Sequence, residues 1–289
     1  PFKSKPETAA YLPEAVRALK PLSSGPNLNL EQLKATGVDL AIGWNTAAFR
    51  RNQLAQLDRV HVPTLLVGVD RLEQYPATFR LLGRTLGVAE RGEALAAYLE
   101  QADNRLLKAT AKIPPRQRVR VYYAESMDGL TSQCGEAHRA EVIRLAGAVN
   151  ALSCSDLPNY QAIPADIESS NVTLGVETLL KMDPDVIVTR FSETRDIIGK
   201  DPRWRRLRAV QKGAVHAMPN APFNWFDRPP SYMRIMGAQW LAQLLYPEII
   251  RLDLARQTRE FYRLFFQVDL DDGQLNALLG PMTNRAVQP

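Results

Sequence analysis

The feature that most constrains this chain is an unbroken helix pattern from Glu90 to about Lys112, rich in Ala, Leu, Glu and Arg, with Leu95, Leu99, Ala102 and Leu106 on one stripe. At a rise of about 1.5 Å per residue, such a helix is roughly 30–35 Å long, enough to bridge two packed bodies. Ile113-Pro114-Pro115 stops it, because a residue before proline is pushed out of the helical region. A rod in the first half of a 289-residue chain implies a lobe on either side of it.

Both flanks read as α/β. Before the rod, a short helix pattern from Asn29 leads into the apolar run Leu40–Trp44, and a helix over Phe49–Leu57 leads into Val62–Val69, which ends at a glycine-bearing loop. A further helix covers Tyr75–Leu86. Beyond the rod, strands are expected at Val119–Tyr123, Val186–Thr189 and Ala214–Met218, with helices over Glu136–Ala148, Thr173–Met182 and Tyr232–Leu245. Two tail helices follow, over Leu254–Phe265 and Asp271–Leu279. Short continuous apolar strands alternating with helices are the pattern of parallel sheets covered on both faces. The fold class expected is therefore α/β, with two Rossmann-like lobes: an N-terminal lobe over 1–88, a bridging helix over 89–113 and a C-terminal lobe over 114–289.

Several functions find no support. The net charge of +5 is spread out, and the densest basic cluster, Arg203 with Arg205, Arg206 and Arg208, suits a solvated helix face better than a nucleic-acid surface. No run of about 18 apolar residues is present, so no helix here is suited to cross a membrane. No glycine-rich phosphate loop or G-x-S-x-G elbow follows a strand. His61, His138 and His216 lie far apart and form no zinc pattern, and His216 reads as a core residue of an apolar strand. Cys134 and Cys154 are the only cysteines and have no metal-ligand spacing; a disulfide and two half-buried thiols are both open. His138 beside Cys134 and Glu136 could serve a thiol nucleophile, but nothing nearby orients it, and helix capping accounts for the same residues. No catalytic residue, metal ligand or cofactor is assigned, and the chain reads as a non-enzyme.

Open α/β sheets place ligands at the carboxyl ends of their strands. Aromatic and cationic residues recur there: Trp44 after the first strand, Tyr123 and Met127 after the third, Arg190 after the fourth, and the run Phe223-Asn224-Trp225-Phe226-Asp227-Arg228-Pro229-Pro230-Ser231 after the fifth. That run combines flat apolar faces, charge and a stiff Pro-Pro, as a ligand-facing loop would; the alternative is a capping loop whose aromatics pack inward and whose Asp227 and Arg228 pair. Guanidinium groups grip carboxylate-like oxygens in pairs, so the set suits a bulky, partly conjugated anion.

The strand with Tyr122-Tyr123-Ala124, the polar loop with Asp128-Gly129, and Glu141-Val142-Ile143-Arg144-Leu145-Ala146-Gly147-Ala148-Val149-Asn150 resemble the opening of the second lobe of periplasmic substrate-binding proteins of ABC importers for iron-siderophores and cobalamin. Leu30-Glu31-Gln32-Leu33 before Val38–Ile42, Glu177-Thr178-Leu179-Leu180 before Asp183–Val188, and Asp201–Val215 with Trp204, Leu207, Ala209, Val210 and Gly213 are similar to other segments of that family. The resemblance covers nearly the whole chain. It implies a bilobed receptor with a helical backbone, outside the cytoplasm (periplasmic, or lipid-anchored in a Gram-positive host), that captures a metal chelate as a monomer and docks on a membrane permease. A ferric siderophore is the leading ligand; a nickel chelate, molybdate or cobalamin are alternatives, and a metallo-enzyme on a similar frame is less favoured because both cysteines come from one lobe. Carried over by position, the ligand would meet Trp44, Tyr123, Met127, Arg190, Phe223, Trp225, Arg228 and Arg234, and Glu193 would meet a permease arginine. The corresponding stretch of the first lobe, Ala48-Phe49-Arg50-Arg51, carries no acid. Members of the family begin with a strand and helix that this sequence lacks, so the first lobe is expected to be N-terminally truncated.

Overall fold

The computed structural model describes residues 6–19, 27–157, 171–227 and 231–280. In the first lobe, helix α1 (Leu30–Ala35) starts where the Asn29 side chain accepts the amide of Gln32, and strand β1 (Ala41–Trp44) follows. Helix α2 (Ala55–Arg59), entered through a π-helical turn, leads to strand β2 (Thr64–Val67). β1 and β2 pair in parallel, with Ile42 opposite Leu65 and Trp44 opposite Val67. Leu33, Leu57 and Val62 form this lobe's own small core.

Helix α3 (Tyr75–Thr85) turns at Gly87 into the expected rod, α4 (Ala89–Thr110). The two pack backbone to backbone, because Gly83 and Gly92 meet where there is no room for a side chain: a Cβ on Gly92 would lie 2.5 Å from the Phe79 carbonyl oxygen. The stripe that was read from sequence faces inward, with Leu99, Ala102 and Leu106 all buried.

The second lobe carries a parallel sheet in the order β5-β3-β7-β8, built from β3 (Arg120–Ala124), β5 (Val149–Asn150), β7 (Val186–Thr189) and β8 (Val215–Ala217). Alternation along β3 divides the core in two: Val121 and Tyr123 join one apolar cluster, Tyr122 and Ala124 the other. A small antiparallel pair, β4 (Thr131–Ser132) with β6 (Val172–Thr173), lies beside it. Thr173 therefore belongs to a strand, and the expected helix begins later, as α6 (Val176–Met182), past Gly175. The helix expected over Glu136–Ala148 is also shorter, because 133–137 is irregular and only a 3-10 turn at His138–Ala140 precedes α5 (Glu141–Leu145).

The irregular stretch is tied down by a disulfide between Cys134 and Cys154, which resolves the two readings of those cysteines and removes Cys134 as a nucleophile. Helices α7 (Ser192–Lys200), α8 (Arg234–Leu245), α9 (Leu254–Phe266) and α10 (Asp272–Leu279) complete the lobe. α9 packs Phe261 and Phe265 against Tyr98 of the rod and Tyr232 before α8, while Phe79 of α3 meets both Tyr232 and Phe265. One aromatic cluster thus spans both lobes and the rod. Tyr11 joins it from the start of the chain, edge-on to Tyr262 and donating to the Gln274 carbonyl.

Candidate ligand-binding cleft

The carboxyl ends of β1 and β2 face the second lobe across a polar junction. Trp44, half-buried at the end of β1, donates its indole N–H to Asp70 Oδ1 at 2.9 Å. Asp70 sits on the loop after β2, where Gln74 Oε1 accepts the amides of Asp70 and Arg71 at 2.8 and 3.1 Å, and Thr78 donates to the Gly68 carbonyl. This loop is therefore held from within and presents Arg71 and Asp70 to the other lobe.

Opposite it stands the turn that follows the disulfide. His138 is half-buried, and its charge environment consists of Arg71, Asp70 and Glu73 from the first lobe with Arg234 from the second. Burial, then Arg71, hold its imidazole below the ordinary histidine range, so it is neutral near pH 7. Its Nδ1 is buried and meets no hydrogen-bond partner among the described residues. Arg139 beside it approaches Asp227 at 3.9 Å.

Asp227 has no exposed surface and accepts the Tyr123 hydroxyl at 2.7 Å. Burial, then the Asp227 charge, keep Tyr123 protonated by raising its pKa well above the ordinary tyrosine value. Asp70 and Asp227 thus hold donors in place, Asp70 for Trp44 and Asp227 for Tyr123. Arg190, at the end of β7, lays its guanidinium over Phe191 at 4.7 Å and lies close enough for its charge to act on Tyr123.

The aromatic run after β8 behaves differently from its ligand-facing reading. Trp225 and Phe226 expose nothing: the Trp225 indole donates to the Ala221 carbonyl and the Tyr262 hydroxyl, and Phe226 stacks on Tyr123 at 3.8 Å. Two large apolar faces gain more from the core than from a wet cleft. Trp225 is thus a core residue, and Tyr123 is sealed beneath Phe226. Phe223 is half-buried against Phe266. Met127 is 48% exposed beside Thr194, at the start of α7. Glu193 is exposed on the first turn of the same helix. Arg234 is 1% exposed and is bound by Glu141, so it presents no surface to a ligand. Arg228 lies outside the described residues.

Of the residues expected to meet a ligand, Trp44 stands at this junction, while Arg190 lines a cavity between β8, α7 and the end of α10. Asp70, Arg71, His138 and Arg139 accompany Trp44 at the junction. The strand-end rule could have singled out Asp70 and Arg71, which follow the glycine of β2; nothing local marked His138 and Arg139, which the disulfide turn brings to the junction. Together they offer imidazole and guanidinium donors beside a flat indole.

Residues 2–222 match the family model described as periplasmic binding protein. The chain belongs to that family. An ABC transporter solute binding protein from Sulfurospirillum deleyianum is 32% identical, with a TM-score of 0.84 over 96% of this chain and 84% of its own. The vitamin B12-binding protein of Pectobacterium carotovorum is 24% identical over 81% of this chain and 77% of its own length. The molybdate-bound MolA of Haemophilus influenzae shares the fold, with a TM-score of 0.73 at 18% identity over 92% of this chain and 83% of its own. This is therefore a two-lobe binding protein of the ABC importer class, whose family works outside the cytoplasm on small solutes and hands them to a transmembrane permease. No helix among the described residues is long and apolar enough to cross a membrane.

Proposed function

We propose that this binding protein captures an anionic metal chelate, most simply a ferric siderophore, between the Asp70–Arg71 loop and the His138–Arg139 turn. The observation that carries this reading is the interlobe junction itself, where Asp70 holds the half-buried Trp44, Arg71 and Asp70 face His138, and Arg139 beside it meets Asp227. Guanidinium groups suit the carboxylate or catecholate oxygens of such a chelate, and the indole suits its flat organic part. Similarity to a vitamin B12-binding protein favours cobalamin as a second reading.

On the same reading 1–88 and 114–289 act as the two lobes, and Glu193, exposed at the start of α7, meets an arginine of the permease. The location is the periplasm, or the outer face of a Gram-positive membrane through a lipid anchor.

A thermal-stabilisation screen with ferric catecholate and hydroxamate siderophores, cobalamin, nickel-histidine and molybdate tests the proposal. Ligand at about 100 times its Kd stabilises by roughly 2.7 kcal/mol. A siderophore is expected to give such a shift, and Arg71→Ala or Arg139→Ala to reduce it. Stabilisation by cobalamin alone, or a siderophore shift that both variants retain, would overturn the assignment.

A further inference from the structure

Arg234 was expected to touch ligand, yet its guanidinium is almost wholly buried and joins the two lobes. Its Nη1 donates to the Asp70 carbonyl at 2.7 Å and its Nη2 to the Val69 carbonyl at 3.2 Å, both on the first-lobe loop. Its Nε donates to the Ser231 carbonyl at 3.0 Å in its own lobe. Glu141 of α5 closes the arrangement: its Oε1 pairs with Arg234 at 2.6 Å and accepts the Leu72 amide of the first lobe at 3.0 Å. Both side chains are buried, at 1% and 5% exposure.

We infer that the Arg234–Glu141 pair is an interlobe latch: a positioning device that fixes the angle between the lobes and so sets the shape of the cleft. The physical case rests on what the other ties between the lobes leave free. A single rod, α4, resists bending but leaves the lobes able to rock and twist about it. The aromatic cluster around Tyr232 and Phe265 adds adhesion, but apolar contact is non-directional and tolerates sliding. Three guanidinium bonds and a carboxylate that accepts a backbone amide are directional, and they sit in a water-poor site where a misaligned donor is costly.

The latch also grips the loop that matters. Val69, Asp70 and Leu72, the three residues that it holds by their backbones, bracket the Asp70 carboxylate that orients Trp44 and the Arg71 that faces His138. A shift of this loop would move the first-lobe wall of the cleft as a unit. A buried ion pair adds little net stability over well-packed apolar residues, and setting one arrangement among several is the role such pairs are best suited to. The inference rests on the cleft being the binding site, but its test needs no ligand.

The experiment places spin labels at Lys34→Cys on α1 and Lys200→Cys on α7, both exposed, and measures the distance between the lobes in the ligand-free protein by pulsed electron resonance. The parent is expected to give one narrow distribution. Arg234→Lys keeps the charge but cannot reach three carbonyls as a fork, and Glu141→Gln keeps the acceptor for Leu72 but loses the charge. In each, a second interlobe distance is expected to rise from below about 1% to about 10% or more of the distribution. Two folded variants that keep the narrow parent distribution would overturn the latch, even where their melting temperatures fall, because a merely structural pair changes stability without changing geometry. Should Arg234→Lys fail to fold, Glu141→Gln decides alone. A positive distance result with no ligand found in the stabilisation screen would leave the latch standing and count only against the proposed function.

Discussion

Removing the Cys134–Cys154 bond tests the part of the second lobe that carries His138 and Arg139. The bridge closes a loop with a sequence separation of 20. In the chain-entropy account a loop of that length stabilises by about 3 kcal/mol. Both cysteines are buried, at 2% and 3% exposure, and Glu136 accepts the Cys154 amide at 3.0 Å, so the bond sits in a packed, hydrogen-bonded setting. Guanidinium unfolding of the protein with and without a phosphine reductant isolates the cross-link, because the reduced protein keeps the same side chains. A loss of about 3 kcal/mol, equivalent to roughly 6–9 °C in Tm, is expected. Binding of a stabilising siderophore should weaken further than the change in stability accounts for, since the bond holds the turn that carries Arg139. An unchanged midpoint on reduction, or two thiols that react in the unreduced denatured protein, would refute the reasoning.

Other positions give equally direct outcomes. Gly237→Ala would place a Cβ 2.1 Å from the Trp225 carbonyl oxygen, a backbone atom that cannot swing aside, so a loss of about 3 kcal/mol and a change in tryptophan emission are expected, and a parental midpoint would argue against the buried placement of Trp225. Trp44→Phe removes the donor to Asp70 at a half-buried site; its cost in stability is expected to stay below about 1 kcal/mol while ligand affinity, measured by calorimetry, falls. Burial, then the Arg195 charge, lower the His216 pKa from 6.5, so the unfolded chain binds the proton more readily. Stability from this group is therefore present above about pH 6.5 and lost as pH falls toward the depressed folded value; His216→Gln should flatten that stretch of the stability profile, and an unaltered slope would contradict the burial.

The order of helices and strands was legible because it rests on local periodicity. α4 and both of its ends follow from composition and Pro114-Pro115, and β7 was placed to the residue by its apolar run. β4 and β6, with two residues each, are too short to show a period, and Thr173 was read as the start of a helix because a threonine can open one. The helix expected from Glu136 failed for a long-range reason: Cys134 is bonded to a residue 20 positions away, which holds the preceding turn irregular.

The site was harder to read for a related reason. Trp44 and Arg190 lie at the strand ends where sequence places them, but the burial of Trp225 and Arg234 was not legible, because sequence cannot show whether a large or charged side chain faces water or a partner. Arg234 is bound by Glu141, 93 positions upstream, and by a loop 164–165 positions upstream; only the folded chain brings them together. His138 and Arg139 carry no motif, and their place at the junction depends on Asp70 and Arg71 arriving from the other lobe.

The central claim, a cleft between the Asp70–Arg71 loop and the His138–Arg139 turn, is most directly tested by a crystal structure with the ligand that the stabilisation screen selects. The account predicts ligand density in contact with the Trp44 indole and within hydrogen-bond reach of Arg71, His138 or Arg139. Density elsewhere would contradict it, for instance in the cavity of about 700 Å³ between β8, α7 and the end of α10, with the interlobe junction unchanged.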